Sequence, residues 1–333
     1  MPTKSPRILG TGFAVPDKIR TNDDPIFDWI KKNNPAGMAL FTGYDERRVL
    51  GQGEDLMTIM VPAAQSAMQN AGLKPDQIDM LIGYGSVGEF QNPNDLSLLN
   101  AHLGLSANCW TVALNNEFSN FNAAIYFADA LIRAGRVGKV LVCVGCNWTQ
   151  HVDYHTAQSV SAADGAAAAV IGTCGEKAQW QIVDSETIND FSYYNSMFMK
   201  GMPVDAPDGK TLWTNPVYQI TQRGIDGFKA FGGIQTPQAA LAVMKRHGLT
   251  GADIALVSHQ ASSVLLEQWQ TAIQPAQYFN TIAQYANVTL SNVPLNLARA
   301  TQQNYFTKDW LVLLAVGADM HANALLLRRN FAG

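Results

Sequence analysis

Apolar residues along the chain follow two periods. Short continuous runs, such as Lys139-Val-Leu-Val-Cys-Val-Gly145 and Trp310-Leu-Val-Leu-Leu-Ala-Val-Gly317, read as strands buried on both faces. Longer stretches between such runs carry apolar residues at helical spacing. Strands are predicted near 6–14, 79–85, 108–114, 139–145 and 166–172, and again near 254–258, 311–316 and 323–328. Helices are predicted near 54–71, 95–103, 117–134, 236–247 and 261–274. This alternation argues for an α/β protein whose sheets are covered by helices.

The pattern also repeats. Ala71-Gly-Leu-Lys-Pro-Asp-Gln-Ile78 resembles His247-Gly-Leu-Thr-Gly-Ala-Asp-Ile254, with Gly72, Leu73 and Ile78 matching Gly248, Leu249 and Ile254 without a gap. Each copy reads as a helix ended by glycine, a short loop and an apolar strand. The two apolar runs quoted above form a second matching pair. Two matches at similar offsets point to duplication, with halves at 1–175 and 176–333 and a site at their junction.

Composition narrows the function classes. The chain has 333 residues, 47% hydrophobic and 15% charged, which is ample for a large core. The net charge is -4 and no Lys/Arg block occurs, so a nucleic-acid footprint is not supported. Four cysteines (Cys109, Cys143, Cys146 and Cys174) are too few for a disulfide framework and fit a reducing compartment. The polar N-terminus has no signal-peptide core, and Ala162 to Gly172 is too short to span a bilayer. The expectation is a cytoplasmic protein without a membrane span.

Two motifs are set aside. Gly83-Tyr-Gly85-Ser-Val-Gly88 matches the dinucleotide fingerprint, but Glu89-Phe-Gln-Asn-Pro-Asn94 follows it, where a helix would have to start. Cys143, Cys146, His151 and His155 have zinc-like residue types. Residues three apart on a strand point to opposite faces, however, so no metal is expected.

Three segments carry candidate chemistry. In Leu256-Val-Ser-His259-Gln-Ala-Ser262 a histidine ends a buried strand and can face a cleft, or be a satisfied core residue. In Tyr285-Ala-Asn287-Val-Thr-Leu-Ser-Asn-Val-Pro294 an asparagine can be a turn residue or an amide donor to an oxyanion. Asp164-Gly165 reads as a structural turn before a small-residue strand.

Together these segments resemble the beta-ketoacyl-acyl carrier protein synthase III branch of the thiolase superfamily. Arg7 to Pro16 with Thr21-Asn22, Thr42-Gly-Tyr-Asp-Glu-Arg47, Phe127-Ala-Asp129 to Gly135, and Val316-Gly317-Ala-Asp319 agree with that family in order along the chain. The resemblance implies a five-layered αβαβα fold of two duplicated halves, normally a homodimer. Its substrates are acyl thioesters of coenzyme A or acyl carrier protein, with no permanently bound cofactor. It also implies that His259 and Asn287 stabilise a thioester enolate.

The family's nucleophilic cysteine has no counterpart. Counting back from Asp129 puts Phe118 there, and counting forward from Leu103-Gly104 puts Glu117 there. Ser119 lies in the same turn, and His259 could serve it as a base. Asn116 is available as helix N-cap. Phe118, Phe90, Ser262 and Trp29 are the substrate-binding candidates, Trp29 by resemblance to an adenine-stacking tryptophan. Three functions stay open: acyl transfer without a covalent intermediate, malonyl-thioester decarboxylation, and a non-catalytic partner subunit of a heteromeric ketosynthase.

Overall fold

In the computed structural model, which describes residues 5–39, 41–90, 92–173, 180–208 and 210–329, the repeat seen in the sequence becomes a repeat of topology. The first half contributes β1 (Arg7–Ala14), α1 (Leu56–Ala71), β2 (Met80–Ser86), α2 (Leu96–Leu103), β3 (Trp110–Ala113), α3 (Asn120–Arg133), β4 (Lys139–Asn147) and β5 (Asp164–Gly172). The second half contributes β6 (Trp180–Asn189), α4 (Thr236–Arg246), β7 (Ile254–Ser258), α5 (Ser263–Ile273), β8 (Gln277–Phe279), α6 (Asn292–Gln302), β9 (Trp310–Val316) and β10 (His321–Arg329). The strand orders are β3-β2-β4-β5-β1 and β8-β7-β9-β10-β6, so each position in one half has its equivalent in the other. β2 is parallel to β3 and β4, as β7 is to β8 and β9, and the remaining pairs are antiparallel. Among the described residues, the register pairs Arg7↔Gln181 and Ile8↔Trp180 join the two sheets at their edge. The proposed division between 175 and 176 falls outside the described residues.

The layers follow from which faces the helices cover. α1 packs on β1, β5 and β4, and α4 packs on β10, β6 and β9. α3 and α6 lie between the sheets, α3 against β4 and β2, α6 against β1, β5 and β7. That gives the α/β, thiolase-like αβαβα stack. The paired glycines act as expected: Gly72 and Gly248 follow α1 and α4 with φ of 69° and 65°, and each precedes a short 3-10 turn into a strand. Among the described residues no helix is long and apolar enough to cross a membrane.

Three elements escape the hydrophobic pattern. β6 mixes Asp184, Ser185, Glu186 and Thr187 into a half-exposed strand. β8 has three residues. α6 opens Asn-Val-Pro-Leu-Asn and reads as loop, although Pro294 is tolerated in a first turn. Helix α3 also begins at Asn120 and not near 117, with Ser119 and not Asn116 at its N-cap position.

The two set-aside motifs have structural explanations. A Cβ on Gly83 would stand 1.7 Å from the Cys143 carbonyl oxygen, so that glycine serves strand contact. Cys143 packs with Met60 under α1, while Cys146 faces the inner core. His155 pairs with Asp153, and His151 contacts the Pro216 carbonyl.

Asp164 does more than make a turn. Fully buried at the start of β5, its carboxylate accepts from Leu50 N–H at 2.8 Å, Thr149 N–H at 2.9 Å and the Thr149 hydroxyl. Burial raises its pKa to about 6 against the opposing effect of those bonds. Asp164→Ala leaves two buried amide donors unpaired, each costing about 1–3 kcal/mol. Chemical denaturation is expected to show a loss of ~3–5 kcal/mol. An unchanged midpoint would refute this role.

Candidate active site

His259 and Asn287 come from different loops. His259 N–H donates to the Leu314 carbonyl at 2.8 Å, extending β7 by one residue beyond Ser258. Asn287 precedes α6, and the other half of the chain holds its backbone. Its N–H donates to Ser161 O at 2.9 Å, and its carbonyl accepts from Ala163 N–H at 3.2 Å. Ala286 and Thr289 on either side have φ of 48° and 44°. Non-glycine residues in that region cost on the order of 1–3 kcal/mol each and persist where the surroundings over-determine them.

A buried amide network supplies the restraint. Gln260 Nε2 donates to Ala286 O at 2.6 Å, while Gln260 Oε1 accepts from Thr281 N–H at 3.1 Å and Asn296 Nδ2 at 2.9 Å. Asn292 stands between the pair. Its Nδ2 lies 3.2 Å from His259 Nδ1 and donates to Asn287 Oδ1 at 2.7 Å. Nothing in the residue pattern singles out Asn292 except its place five residues after Asn287.

The pair lines a cavity of about 380 Å³, whose other walls are mainly apolar and include Phe118, Trp148, Met197, Tyr218 and Phe228. Much of this wall comes from the segment between β6 and α4, where short hairpins and a helical turn carry Met197, Tyr218 and Phe228. Phe118 has φ of 67° in the turn before α3. Its ring stacks on His259 with centroids 5.8 Å apart at 17°. Burial lowers the His259 pKa to about 3, opposed by a backbone hydrogen bond with Thr289, so the imidazole is neutral at ordinary pH.

The remaining candidates separate. Ser262 lines the cavity and caps α5, accepting from Leu265 N–H at 3.4 Å. Phe90 is exposed outside this cavity. Trp29 is half-exposed and meets the His155 ring edge-on at 4.6 Å, also outside it. Ser119 is fully buried and is not among the cavity's lining residues. Its hydroxyl lies 2.5 Å from His321 Nε2, and His321 Nδ1 bonds Asp319. The basic partner of Ser119 is thus His321, not His259. The spacing Asp-x-His at 319–321 was the available signal for it.

Glu117 shows an exposed surface but sits in a recess, where desolvation raises its carboxyl. The Asn115 hydrogen bond and His321 oppose that shift, and the Asp319 charge adds to it. Burial works to raise Asp319 as well, but the bond and charge of His321 outweigh it and hold Asp319 low. Cys146 lies behind the cavity wall, its sulfur accepting from Thr289 Oγ1 at 3.0 Å, and burial pushes its thiol up to about 12. Such a thiol is a poor nucleophile.

Known proteins resemble this chain in sequence and in fold. The family described as 3-oxoacyl-[acyl-carrier-protein (ACP)] synthase III matches residues 113–190, and its C-terminal counterpart matches residues 244–329. A Brucella canis protein named beta-ketoacyl-[acyl-carrier-protein] synthase III is 28% identical over 330 residues, covering 96% of this chain and 98% of its own length. The structure of 3-oxoacyl-[acyl-carrier-protein] synthase III from Aquifex aeolicus has a TM-score of 0.81 at 21% identity, covering 97% of this chain and 99% of that one. The priming beta-ketosynthase of the R1128 polyketide pathway has a TM-score of 0.84 at 21% identity, covering 98% and 97%. Family matches in both halves, full-length relatives at 28% identity and the shared fold make the chain similar to 3-oxoacyl-[acyl-carrier-protein] synthase III proteins.

Proposed function

We propose that this chain is a transferase of the beta-ketoacyl synthase III type that moves or condenses acyl groups from coenzyme A or carrier-protein thioesters, without a cysteine acyl-enzyme, in specialised metabolism. One observation carries the reading. His259 and Asn287 line a mainly apolar cavity together, while Phe118, which cannot be acylated, stacks on His259 in the turn before α3. Asn287 Oδ1 is taken up by Thr289 N–H at 2.9 Å, so its amide Nδ2 is the donor left for a ligand. Two neutral N–H donors suit a thioester oxygen that gains negative charge.

A neutral His259 with so low a pKa is a weak base, which favours a nucleophile that needs none. Malonyl decarboxylation provides one. The bond to the carboxylate breaks, carbon dioxide leaves, and its electron pair becomes the thioester enolate. That enolate either attacks the carbonyl of a second acyl thioester, breaking its carbon–sulfur bond and releasing a thiolate that takes a proton from solvent, or itself takes a proton. The second outcome is the decarboxylase reading, favoured by the ring of Phe118 where an acyl-enzyme would stand.

The test is intact-protein mass and product analysis after incubation with acyl and malonyl thioesters. Product or carbon dioxide with no protein adduct is expected. A stable adduct lost in Ser119→Ala would overturn the non-covalent mechanism. No adduct and no turnover would replace the enzyme reading by that of a partner subunit.

The chain is also read as a homodimer. Among the described residues, edge strand β3 pairs only with β2 and exposes Trp110, and α3, which follows it in the chain, exposes Tyr126 and Phe127. Unpaired edges beside aromatic surface favour a second copy. Light scattering is expected to give twice the chain mass, and Trp110→Asp with Phe127→Asp to give the single-chain mass. A monomeric wild type would refute the pairing. Cys109, Cys143 and Cys146 are all free thiols, which supports a reducing, cytoplasmic setting.

A further inference from the structure

We propose that Asn292 is a positioning residue that fixes both active-site donors at once, setting the tautomer of His259 and the amide orientation of Asn287. The proposal rests on reading those two residues as the acyl-thioester pair. Two backbone amides, which can only donate, fix the orientation of both side-chain amides. Val288 N–H points to Asn292 Oδ1 at 3.0 Å, so the oxygen of that amide faces Val288. Asn292 Nδ2 must then face His259 and Asn287.

Nδ2 carries two hydrogens, and there are two acceptors. One is Asn287 Oδ1 at 2.7 Å, already identified as oxygen by Thr289 N–H at 2.9 Å. The other is His259 Nδ1 at 3.2 Å. A donor facing Nδ1 requires a lone pair there, so the neutral ring carries its hydrogen on Nε2. Two consequences bear on the substrate: the Asn287 Nδ2 hydrogens are left free, and Nε2–H is the ring's one donor, for which a substrate oxygen competes with the backbone of Thr289. Asn292 itself is fully buried and touches neither cavity nor substrate. Its place in the first turn of α6 couples it to the Gln260–Asn296 network, because Asn296 follows one helical turn later.

The experiment is nitrogen-15 NMR of the full-length protein labelled at histidine ring nitrogens, with His259 assigned by its loss in His259→Ala. Wild type is expected to show protonated Nε2 and unprotonated Nδ1. Asn292→Asp replaces the donor by an acceptor and is expected to move the hydrogen to Nδ1 or to protonate both nitrogens. Asn292→Ser, the milder change, retains one donor and is expected to show both tautomers. Asn296→Ala disturbs the same network without facing His259 and is expected to keep the wild-type tautomer.

In thioester turnover, Asn292→Asp and Asn292→Leu are expected to lower kcat by about 10–100-fold with little change in KM, the range seen for outer partners that orient metal-bound histidines. A wild-type ring protonated on Nδ1 would overturn the proposal, as would Asn292 variants whose His259 nitrogens match wild type. The wild-type spectrum decides even if the Asp variant does not fold. A correct tautomer with no thioester turnover would leave the role of Asn292 standing and defeat the acyl-thioester reading instead.

Discussion

Replacing His259 by alanine is expected to lower thioester turnover by about 10²–10³-fold, and Asn287→Ala by a similar factor, the usual cost of removing one preorganised donor to an oxyanion. Both donors sit against apolar walls, where a hydrogen bond to developing charge is worth more than in water. Neither has to reorganise, because the Asn292 amide and the backbone of Thr289 already hold them. The double variant is expected to fall short of the product of the single effects, since one donor cannot hold the oxygen alone. The loss should appear in kcat, because charge develops on the oxygen only as the reaction proceeds.

The pH dependence separates this role from that of a titrating base. With its pKa lowered to about 3, His259 stays neutral across pH 5–8, so turnover should show no acid limb at the usual imidazole value of 6.5. Stability behaves differently. Between about pH 3 and 6.5 the unfolded chain binds a proton at this position and the folded chain does not, so the protein loses stability as pH falls through that window. Steady-state rates over pH 5–8 check the first statement. An acid limb near 6.5 that disappears in His259→Asn would show that the ring ionises, and would end the neutral-donor account.

Legibility in the sequence tracked burial on both faces of an element. β4, β7 and β9 are continuous apolar runs, and their ends place His259 and the Gly317 turn correctly. β6, β8 and α6 were missed because they are mixed, short or polar-opened, and α6 carries Asn292. Side-chain direction within the turn before α3 was beyond pattern reading altogether. Glu117, Phe118 and Ser119 are consecutive, yet Phe118 meets the cavity while Ser119 turns to His321. Only a backbone with Phe118 in the left-handed region divides them this way, and no local motif such as Asn-Gly announces it. The cavity wall from 190–235 was equally hidden, since its short hairpins have no periodic signal.

The geometry of that turn leads to the second large effect. Phe118→Cys is expected to accumulate an acyl adduct, one per chain, on incubation with an acyl thioester, where the reaction proposed for the wild type forms none. A cysteine there would lie two residues before the 14-residue helix α3, where the dipole and free amides favour a thiolate. Its sulfur would attack the carbonyl held by His259 and Asn287. The carbon–sulfur bond of the substrate would break, and the departing thiolate would leave as coenzyme A or phosphopantetheine thiol after taking a proton. Loss of the half-buried ring should cost less than the ~3–5 kcal/mol of a fully buried Phe→Ala change. Two controls isolate the cause. Phe118→Ala opens the same space and should remain unmodified. Ser119→Cys puts a thiol one residue later, facing His321 away from the cavity, and should also remain unmodified. Intact mass reads all three, and an adduct on Ser119→Cys but not on Phe118→Cys would mean that the reacting carbonyl lies on the His321 side of the turn and that the His259 cavity is not where the thioester binds.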